Sequence, residues 1–432
     1  MKLSRVSHLL SIGGVATVAN MAYLVYMDPH RPLRPDGSFY LAIARSLAQR
    51  LQYLDPSSPW PNLPAMARLP AWPFFVSVFL RVTPGIDPHL VIRLSGALLN
   101  VLTAVLLALL TERLFSSRRA AIVAGLFYAL YPPPLYLMDL GLSESFFVFL
   151  TVLAAWCAVK NEKLWTVSAL LFGVGCLVRS NFILMAAFFP LVGWLRLRFA
   201  GRPLTLGHAR RAALLVICFL LPSSLWVARN YAVSGHFPVL SAMRGETFYG
   251  AYNDIAANNL GLWGYWVYPP EIPGEIDKRV LAAGMSDEAV LDDYYFKKGK
   301  EYAITHKAAL PRLVLGRLIR AYIPVPWVPA AADDAVAALR IALYVIFAAT
   351  FSVWRRTSGP IFNVLLLTMT LVSVSGVVLF YGSPRFAFVL EVFFVPCAAF
   401  GLTASGGGLI ARWRERMGIE PTQPDVVRSH QF

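Results

Sequence analysis

A small set of polar side chains in this chain has the types and spacing to do chemistry. Asp36 and Tyr40 fall in the segment Pro35-Asp36-Gly37-Ser38-Phe39-Tyr40, just beyond the first apolar run. Arg68 opens Arg68-Leu69-Pro70-Ala71-Trp72-Pro73, and Glu144 closes Asp139-Leu140-Gly141-Leu142-Ser143-Glu144 after the turn Tyr131-Pro132-Pro133-Pro134. Arg179-Ser180-Asn181, Arg229-Asn230-Tyr231 and Arg385-Phe386 complete the set. A carboxylate at the edge of an apolar region serves as a general base or a metal ligand, and the arginine fork matches phosphate oxygens. Each residue also has a plainer reading. Asp36 caps a helix, Glu144 is a helix N-terminal charge, Arg179 snorkels to the surface, and Arg68 with Trp72 is an interfacial anchor.

The surroundings of these residues are strongly apolar. The chain has 432 residues, of which 57% are hydrophobic and 15% charged. A soluble domain carries roughly 45–50% and about 25%. This excludes an ordinary soluble enzyme and a disordered chain, and leaves a polytopic membrane protein. The net charge of +15 comes with no basic stripe and no nucleic-acid signature, so nucleic acid is not expected as a partner. Much of that charge flanks membrane spans. Cys157, Cys176, Cys218 and Cys397 all lie in apolar runs without a CxxC pair and read as buried structural thiols. No Walker A, HExxH or GxSxG motif occurs, and the external His30 and His236 are not read as metal ligands.

About ten spans are expected, at 8–27, 89–110, 120–135, 143–159, 164–178, 182–195, 212–227, 335–354, 360–380 and 386–404. The first is read as uncleaved, with Lys2 and Arg5 keeping the N-terminus cytoplasmic. Alternation then puts Arg113/Arg118/Arg119, Lys160/Lys163, the arginines at 196–211 and Arg355/Arg356 inside, and leaves the opposite turns poor in basic residues. Residues 69–82 are too short for a comfortable span and read as a re-entrant or half-buried helix. Residues 310–322, with Arg312, Arg317 and Arg320, read as an interfacial helix with a basic face on the membrane. The expected fold is therefore all-α and polytopic, with one larger external loop. Its parts are a catalytic membrane module over 1–228 containing the first external loop 28–88, an external loop over 229–334, C-terminal spans over 335–410 and a cytoplasmic tail over 411–432. A helix beginning at Ser286-Asp287-Glu288, capped by the serine, is expected to run to about His306.

The order of the polar clusters resembles the GT-C class of integral membrane glycosyltransferases, in the bacterial branch related to protein O-mannosyltransferases and lipid A aminoarabinose transferases. The resemblance covers about residues 8–410. It rests on Asp36, Tyr40 and Ile43-Ala44, on the R-x-P-x-x-P element at Arg68–Pro73, on Tyr131-Pro132 with Ser143-Glu144, on Arg229-Asn230-Tyr231 and on Arg385-Phe386. It implies transfer of a sugar from a polyprenyl-phosphate donor to an acceptor on the external face, with inversion at the anomeric carbon. Asp36 is then the expected base. Glu144 is a second acid that orients Asp36's partner or helps bind acceptor or metal. Tyr40, Arg68, Arg179, Arg229, Asn230, Tyr231 and Arg385 are the expected substrate-binding residues.

The partners implied are the lipid-linked donor, membrane lipids and a lipid, glycan or protein acceptor. The location implied is the cytoplasmic (inner) membrane, multi-pass, with the site on the periplasmic or external side. A divalent metal is compatible with the site but not required. Two departures stand out. Many members carry a second acid where this chain has Gly37, and no external domain follows the last span, which argues against transfer of a whole oligosaccharide to protein. The alternatives are a polysaccharide polymerase or ligase working from the late loop, and a lipid or glycan transporter.

Overall fold

The computed structural model describes residues 2–237, 240–323 and 331–416. The apolar runs fold as helices, and among the described residues the only extended pairing is one bridge between Leu54 and Pro64. The first half holds α1 (Lys2–Tyr26), α2 (Pro35–Arg50), α3 (Ala71–Val82), α4 (Pro88–Phe115) and α5 (Arg118–Leu130). It continues with α6 (Pro132–Asp139), α7 (Glu144–Lys160), α8 (Trp165–Cys176), α9 (Met185–Phe199) and α10 (Leu206–Ser234). Five shorter helices follow: α11 (Arg244–Ala251), α12 (Asp254–Asn258), α13 (Lys278–Ala283), α14 (Glu288–Thr305) and α15 (Leu310–Tyr322). The chain closes with α16 (Ala331–Ala349), α17 (Phe351–Thr357), α18 (Pro360–Leu379) and α19 (Pro384–Arg416). The tail expected from 411 is thus helical to Arg416, and 417–432 lie outside the described residues.

Six of the described helices are long and apolar enough to cross a membrane, and two bent pairs bring the number to eight. The bends have local causes. Tyr131-Pro132-Pro133-Pro134 ends α5 because proline lacks the amide a continuing helix needs, and α6 restarts at 40°. α16 and α17 meet at Thr350 with a bend of 67°. The expected spans at 143–159 and 164–178 become α7, of 17 residues, and α8, of 12. Twelve residues rise only about 18 Å, well short of the ~30 Å hydrocarbon layer.

α4 sits centrally, against α1, α3, α5, α6 and α7, and α19 closes the other side against α5 and α16. Near the N-terminus of α4, the fully buried Arg93 ties down the first loop. Its Nε bonds the Asp139 carbonyl at 2.9 Å, and its Nη atoms bond the carbonyls of Pro29 and Arg31 at 2.8 and 2.9 Å. That loop leads directly into α2. α2 opens with Pro35 at its first position and Asp36 in its first turn, where the helix dipole favours a carboxylate.

α3 is short, as expected, but Trp72 is no interfacial anchor. It is 1% exposed and donates through Nε1 to the Gly141 carbonyl at 3.1 Å. The exposed apolar residues of α3 are instead Phe74, Val78 and Val82, four apart, which form one stripe. α15 has the expected bounds, but of its three arginines only Arg312 is exposed, and the other two point inward. Arg317 is fully buried and bonds the carbonyls of Val378 and Ala251, both at 2.7 Å. Arg320 bonds the carbonyls of Trp263 and Gly261 at 3.0 and 2.8 Å. Carbonyls with no other partner attract a buried guanidinium more strongly than a headgroup does.

The unit of α11 to α15 has its own core of Tyr249, Tyr252, Val267, Leu291, Tyr295 and Leu313. α14 starts one residue later than its expected cap. Asp287, not Ser286, accepts from the amides of Ala289 and Val290 at 2.8 and 3.1 Å. One turn on, Asp292 is buried, takes the Gly245 amide at 2.5 Å and lies 3.4 Å from Arg244. Burial pushes its carboxyl up to about 7; Asp293 and Glu246 add to this, while the Gly245 amide and Arg244 oppose it. The folded unit therefore holds this proton more tightly than the unfolded chain. The stabilisation is complete below pH ~4 and is lost as pH rises through about 7. Hydrogen exchange over 244–305 is expected to show protection falling between about pH 4 and 7, by up to about 1.4 kcal/mol per pH unit, and levelling above that. The slope should flatten in Asp292→Asn, and an unchanged slope would reject this assignment.

Candidate active site

Six of the expected residues, far apart in sequence, meet at one end of the helix bundle. Asp36 on α2 lies 3.1 Å from Nη2 of Arg68 and 3.5 Å from Nη1 of Arg385. Arg385, in the first turn of α19, also places Nε 3.8 Å from Glu144 and donates through Nη2 to the Tyr381 hydroxyl at 2.7 Å. Glu144, at the start of α7, is buried and paired with Arg179. Rings hold the guanidiniums in place. Arg68 lies 4.9 Å from the Phe39 ring centroid, and Arg179 lies 5.2 Å from Phe386 and 5.7 Å from Phe147. Tyr40, one turn after Asp36, has its ring 5.7 Å from Arg68 and shares a hydrogen bond with Ser143. The expected turn at Arg179 is the cap of a short 3₁₀ segment, Ser180–Leu184, so the arginine faces the protein rather than the surface.

Three guanidiniums against two carboxylates leave the cluster with one excess positive charge. Burial alone would raise the Asp36 carboxyl, but the charges of Arg68 and Arg385 and their hydrogen bonds outweigh it and hold the group below its ordinary value. Burial also raises the Tyr40 phenol; Arg68 opposes this, and Asp36 and Glu144 add to it. Asp36 is 37% exposed, so the cluster opens to its surroundings at that carboxylate. Both acids are already engaged by guanidiniums, and the described residues hold no grouping of three or more metal-ligating side chains. This donor set fits an anion better than a divalent cation.

Gly37 has a structural reason. A Cβ built there would fall 2.2 Å from the Leu140 carbonyl oxygen, so this backbone has no room for a second acid beside Asp36. The other expected residues lie elsewhere. Arg229 bonds the Ala65 carbonyl at 2.8 Å and the Asn230 side chain at 2.9 Å, and packs on Trp226 and Tyr53. Asn230 is buried and donates to the Leu240 carbonyl, while Tyr231 is 52% exposed beside Phe237. These three sit inside the last turns of α10, across the expected boundary at 228/229. Arg229 braces the segment 65–68 that delivers Arg68, helped by Glu288, which accepts from the amides of Met66 and Ala67 at 2.6 and 2.7 Å.

Two features escaped the sequence reading. Glu391 is buried in α19, bonded to Arg340 at 2.6 Å and to the hydroxyls of Tyr131 and Tyr344 at 2.8 and 2.5 Å. Its signal was available, since a carboxylate inside the last apolar run needs a partner. The other is Tyr265, whose ring packs edge-on against Tyr381 at 5.8 Å. A lone tyrosine in a polar loop carries no such signal.

Comparison with known proteins agrees with this architecture. A family model described as dolichyl-phosphate-mannose-protein mannosyltransferase matches residues 66–226. No curated protein sequence matches the chain. Archaeal oligosaccharyltransferase AglB from Archaeoglobus fulgidus, in complex with an inhibitory peptide and a dolichol-phosphate, superposes with a TM-score of 0.59 at 12% identity, over 96% of this chain and 52% of that one. The same enzyme in complex with Zn and sulfate gives 0.58 at 14% identity, over 95% and 51%. ArnT from Cupriavidus metallidurans bound to undecaprenyl phosphate gives 0.44 at 14% identity, over 98% and 82%. The chain spans about half the length of the oligosaccharyltransferase it matches. What it shares with that enzyme is the fold: an all-α membrane architecture followed over nearly the whole of this chain.

Proposed function

We propose that the chain is a membrane glycosyltransferase that moves a sugar from a polyprenyl-phosphate donor to an acceptor hydroxyl on the external face, with inversion. The observation that carries this reading is Arg385, which lies between Asp36 and Glu144 in a cluster with one excess positive charge. We read ten spans from a cytoplasmic N-terminus, with α7 and α8 as short spans within the bundle. The bent pairs and the basic connections at 113–119, 196–211 and 355–356 support that alternation. The site then opens on the periplasmic or external side of the inner membrane.

The reaction is a single displacement. The acceptor oxygen bonds to the anomeric carbon as the bond from that carbon to the donor phosphate oxygen breaks. The leaving phosphate keeps the electron pair, and Arg385, Arg68 and Arg179 are the cations near enough to meet its charge. The acceptor proton passes to the Asp36 carboxylate. In the resting site Asp36 is a weak base, because two guanidiniums hold its proton affinity down. A phosphate that draws Arg385 and Arg68 toward itself removes that restraint, so Asp36 becomes more basic when the donor is in place. Glu144 orients Arg179 and Arg385. Tyr40 stays protonated and can donate to a sugar oxygen. The two acids, both arginine-bound, leave no set suited to a divalent ion, and no step here uses one.

A polymerase or ligase would place its chemistry in 229–334 and would not need Asp36. Among the described residues, no acid of that loop is shared by two arginines as Asp36 is, which supports the first reading. Mass spectrometry of envelope glycolipids and polysaccharide tests the proposal. Deletion is expected to remove one sugar residue from one glycan, and the wild-type chain to restore it. The missing mass identifies sugar and acceptor together. An unchanged glycan profile, or loss of whole polymer instead of one residue, would reject it.

A further inference from the structure

Tyr265 lies in the turn after α12, and the fold fixes that turn at several points. Gly264 has φ +71°, and a Cβ there would fall 2.3 to 2.8 Å from the backbone of Gly316 and Arg317, so only glycine permits the approach of this turn to α15. The Gly264 amide donates to the Ala256 carbonyl, and its carbonyl accepts from Gly382, both at 2.9 Å. Arg320 holds two carbonyls just before Gly264, at Gly261 and Trp263. The turn is thus joined directly to residues 381–385, which carry Tyr381 and Arg385.

The Tyr265 side chain is fixed as firmly. Its ring meets Tyr381 at 86° and lies 5.2 Å from the Arg320 guanidinium. Tyr381 in turn accepts from Arg385 at 2.7 Å. The hydroxyl of Tyr265, by contrast, has no hydrogen-bond partner among the described residues, and the residue is only half-buried. Its charged surroundings include Arg385 and Asp36. Burial keeps the phenol protonated; Tyr381 and Asp36 add to this, while Arg385 and Arg320 oppose it. A rigidly held, unpartnered O–H beside a cluster with excess positive charge is a donor waiting for an anion.

We propose that Tyr265 is a further binding residue, donating its hydroxyl proton in a hydrogen bond to the phosphate that Arg385 receives. This rests on the glycosyltransferase reading and adds to it a residue from the unit of α11 to α15. That unit then supplies part of the phosphate site, and its rigid attachment at Gly264 has a purpose. A phenol suits the place because it adds a directed donor without adding a fourth cation.

The test is binding of undecaprenyl phosphate to the full chain in lipid nanodiscs, with undecaprenol, the same lipid without phosphate, as the second probe. Tyr265→Phe keeps the ring against Tyr381 and Arg320 and removes only the hydroxyl. A hydrogen bond to a charged group contributes roughly 1.5–3 kcal/mol. The expected result is therefore an affinity for undecaprenyl phosphate about ten- to a hundredfold lower, with undecaprenol binding and thermal stability unchanged. If Arg385→Gln weakens phosphate binding and Tyr265→Phe does not, the role of Tyr265 is wrong while the donor reading survives. If both probes weaken equally in Tyr265→Phe, the residue acts on the fold or the lipid and the proposal falls. If the wild-type chain does not distinguish undecaprenyl phosphate from undecaprenol, the donor reading itself fails and takes Tyr265 with it.

Discussion

Asp36→Asn is expected to lower kcat by about 10²–10⁴-fold, the usual contribution of a positioned base, while the donor binds as well as before or more tightly. The two halves of this expectation have one cause. The amide cannot accept the acceptor's proton at neutral pH, so the chemical step slows. The amide also carries no charge, so Arg68 and Arg385 lose a competitor that lies 3.1 and 3.5 Å away in the resting site. Folding should be little affected, because the side chain is 37% exposed and the substitution is nearly isosteric. The measurement is a purified transfer assay beside a binding assay with undecaprenyl phosphate. Near-normal turnover would remove Asp36 as the base. Reduced turnover with weakened binding would make it a structural partner of the arginines instead.

Replacing Arg385 should be nearly as damaging for the opposite reason. Arg385→Gln withdraws the one side chain that reaches Asp36, Glu144 and Tyr381 together. Removing a group aimed at developing charge costs about 10²–10³-fold in kcat, and here donor binding should weaken as well. Arg385→Lys is expected to rescue little. A single ammonium cannot span two carboxylates and a phenol as a planar fork does. Steady-state kinetics with the donor varied would check this, and full activity in the lysine variant would mean that charge alone matters at this position. Together the two variants separate base from cation, since one should spare donor binding and the other should not.

Much of this was legible in the sequence because each polar residue of the cluster stands against an apolar background. Asp36, Arg68, Glu144, Arg179 and Arg385 could each be picked out, since charge next to a membrane run is costly and calls for a reason. Their meeting was not legible, because it depends on α2, α7 and α19 ending at one level. Arg229 illustrates the limit. An arginine near an outer helix end looks like a phosphate ligand, yet a backbone carbonyl at Ala65 and two aromatic rings engage it. Arg317 and Arg320 mislead in the same way, because periodicity reveals that they share a face but not that buried carbonyls lie opposite. The apolar runs predicted where helices form better than how far they extend. Prolines and the bend at Thr350 break two runs into pairs, and α8 is shorter than a membrane is thick. Gly37 was visible only as a departure, and its reason, the Leu140 carbonyl, lies a hundred residues away in the chain.

The resting partnership of the arginines with Asp36 and Glu144 bears on how the site empties. Cations that are satisfied before a ligand arrives bind it only by exchange, so the headgroup's net contribution is the difference between two sets of contacts. On the proposed reading the lipid chain supplies most of the affinity, at about 0.8 kcal/mol for each methylene removed from water, and the exposed stripe of Phe74, Val78 and Val82 on α3, the helix that follows Arg68, offers it an apolar surface. On the same reading, the carboxylates compete for the arginines after transfer and help displace the spent carrier. Small phosphates without a tail should therefore be poor inhibitors, and product inhibition should grow with the length of the prenyl chain.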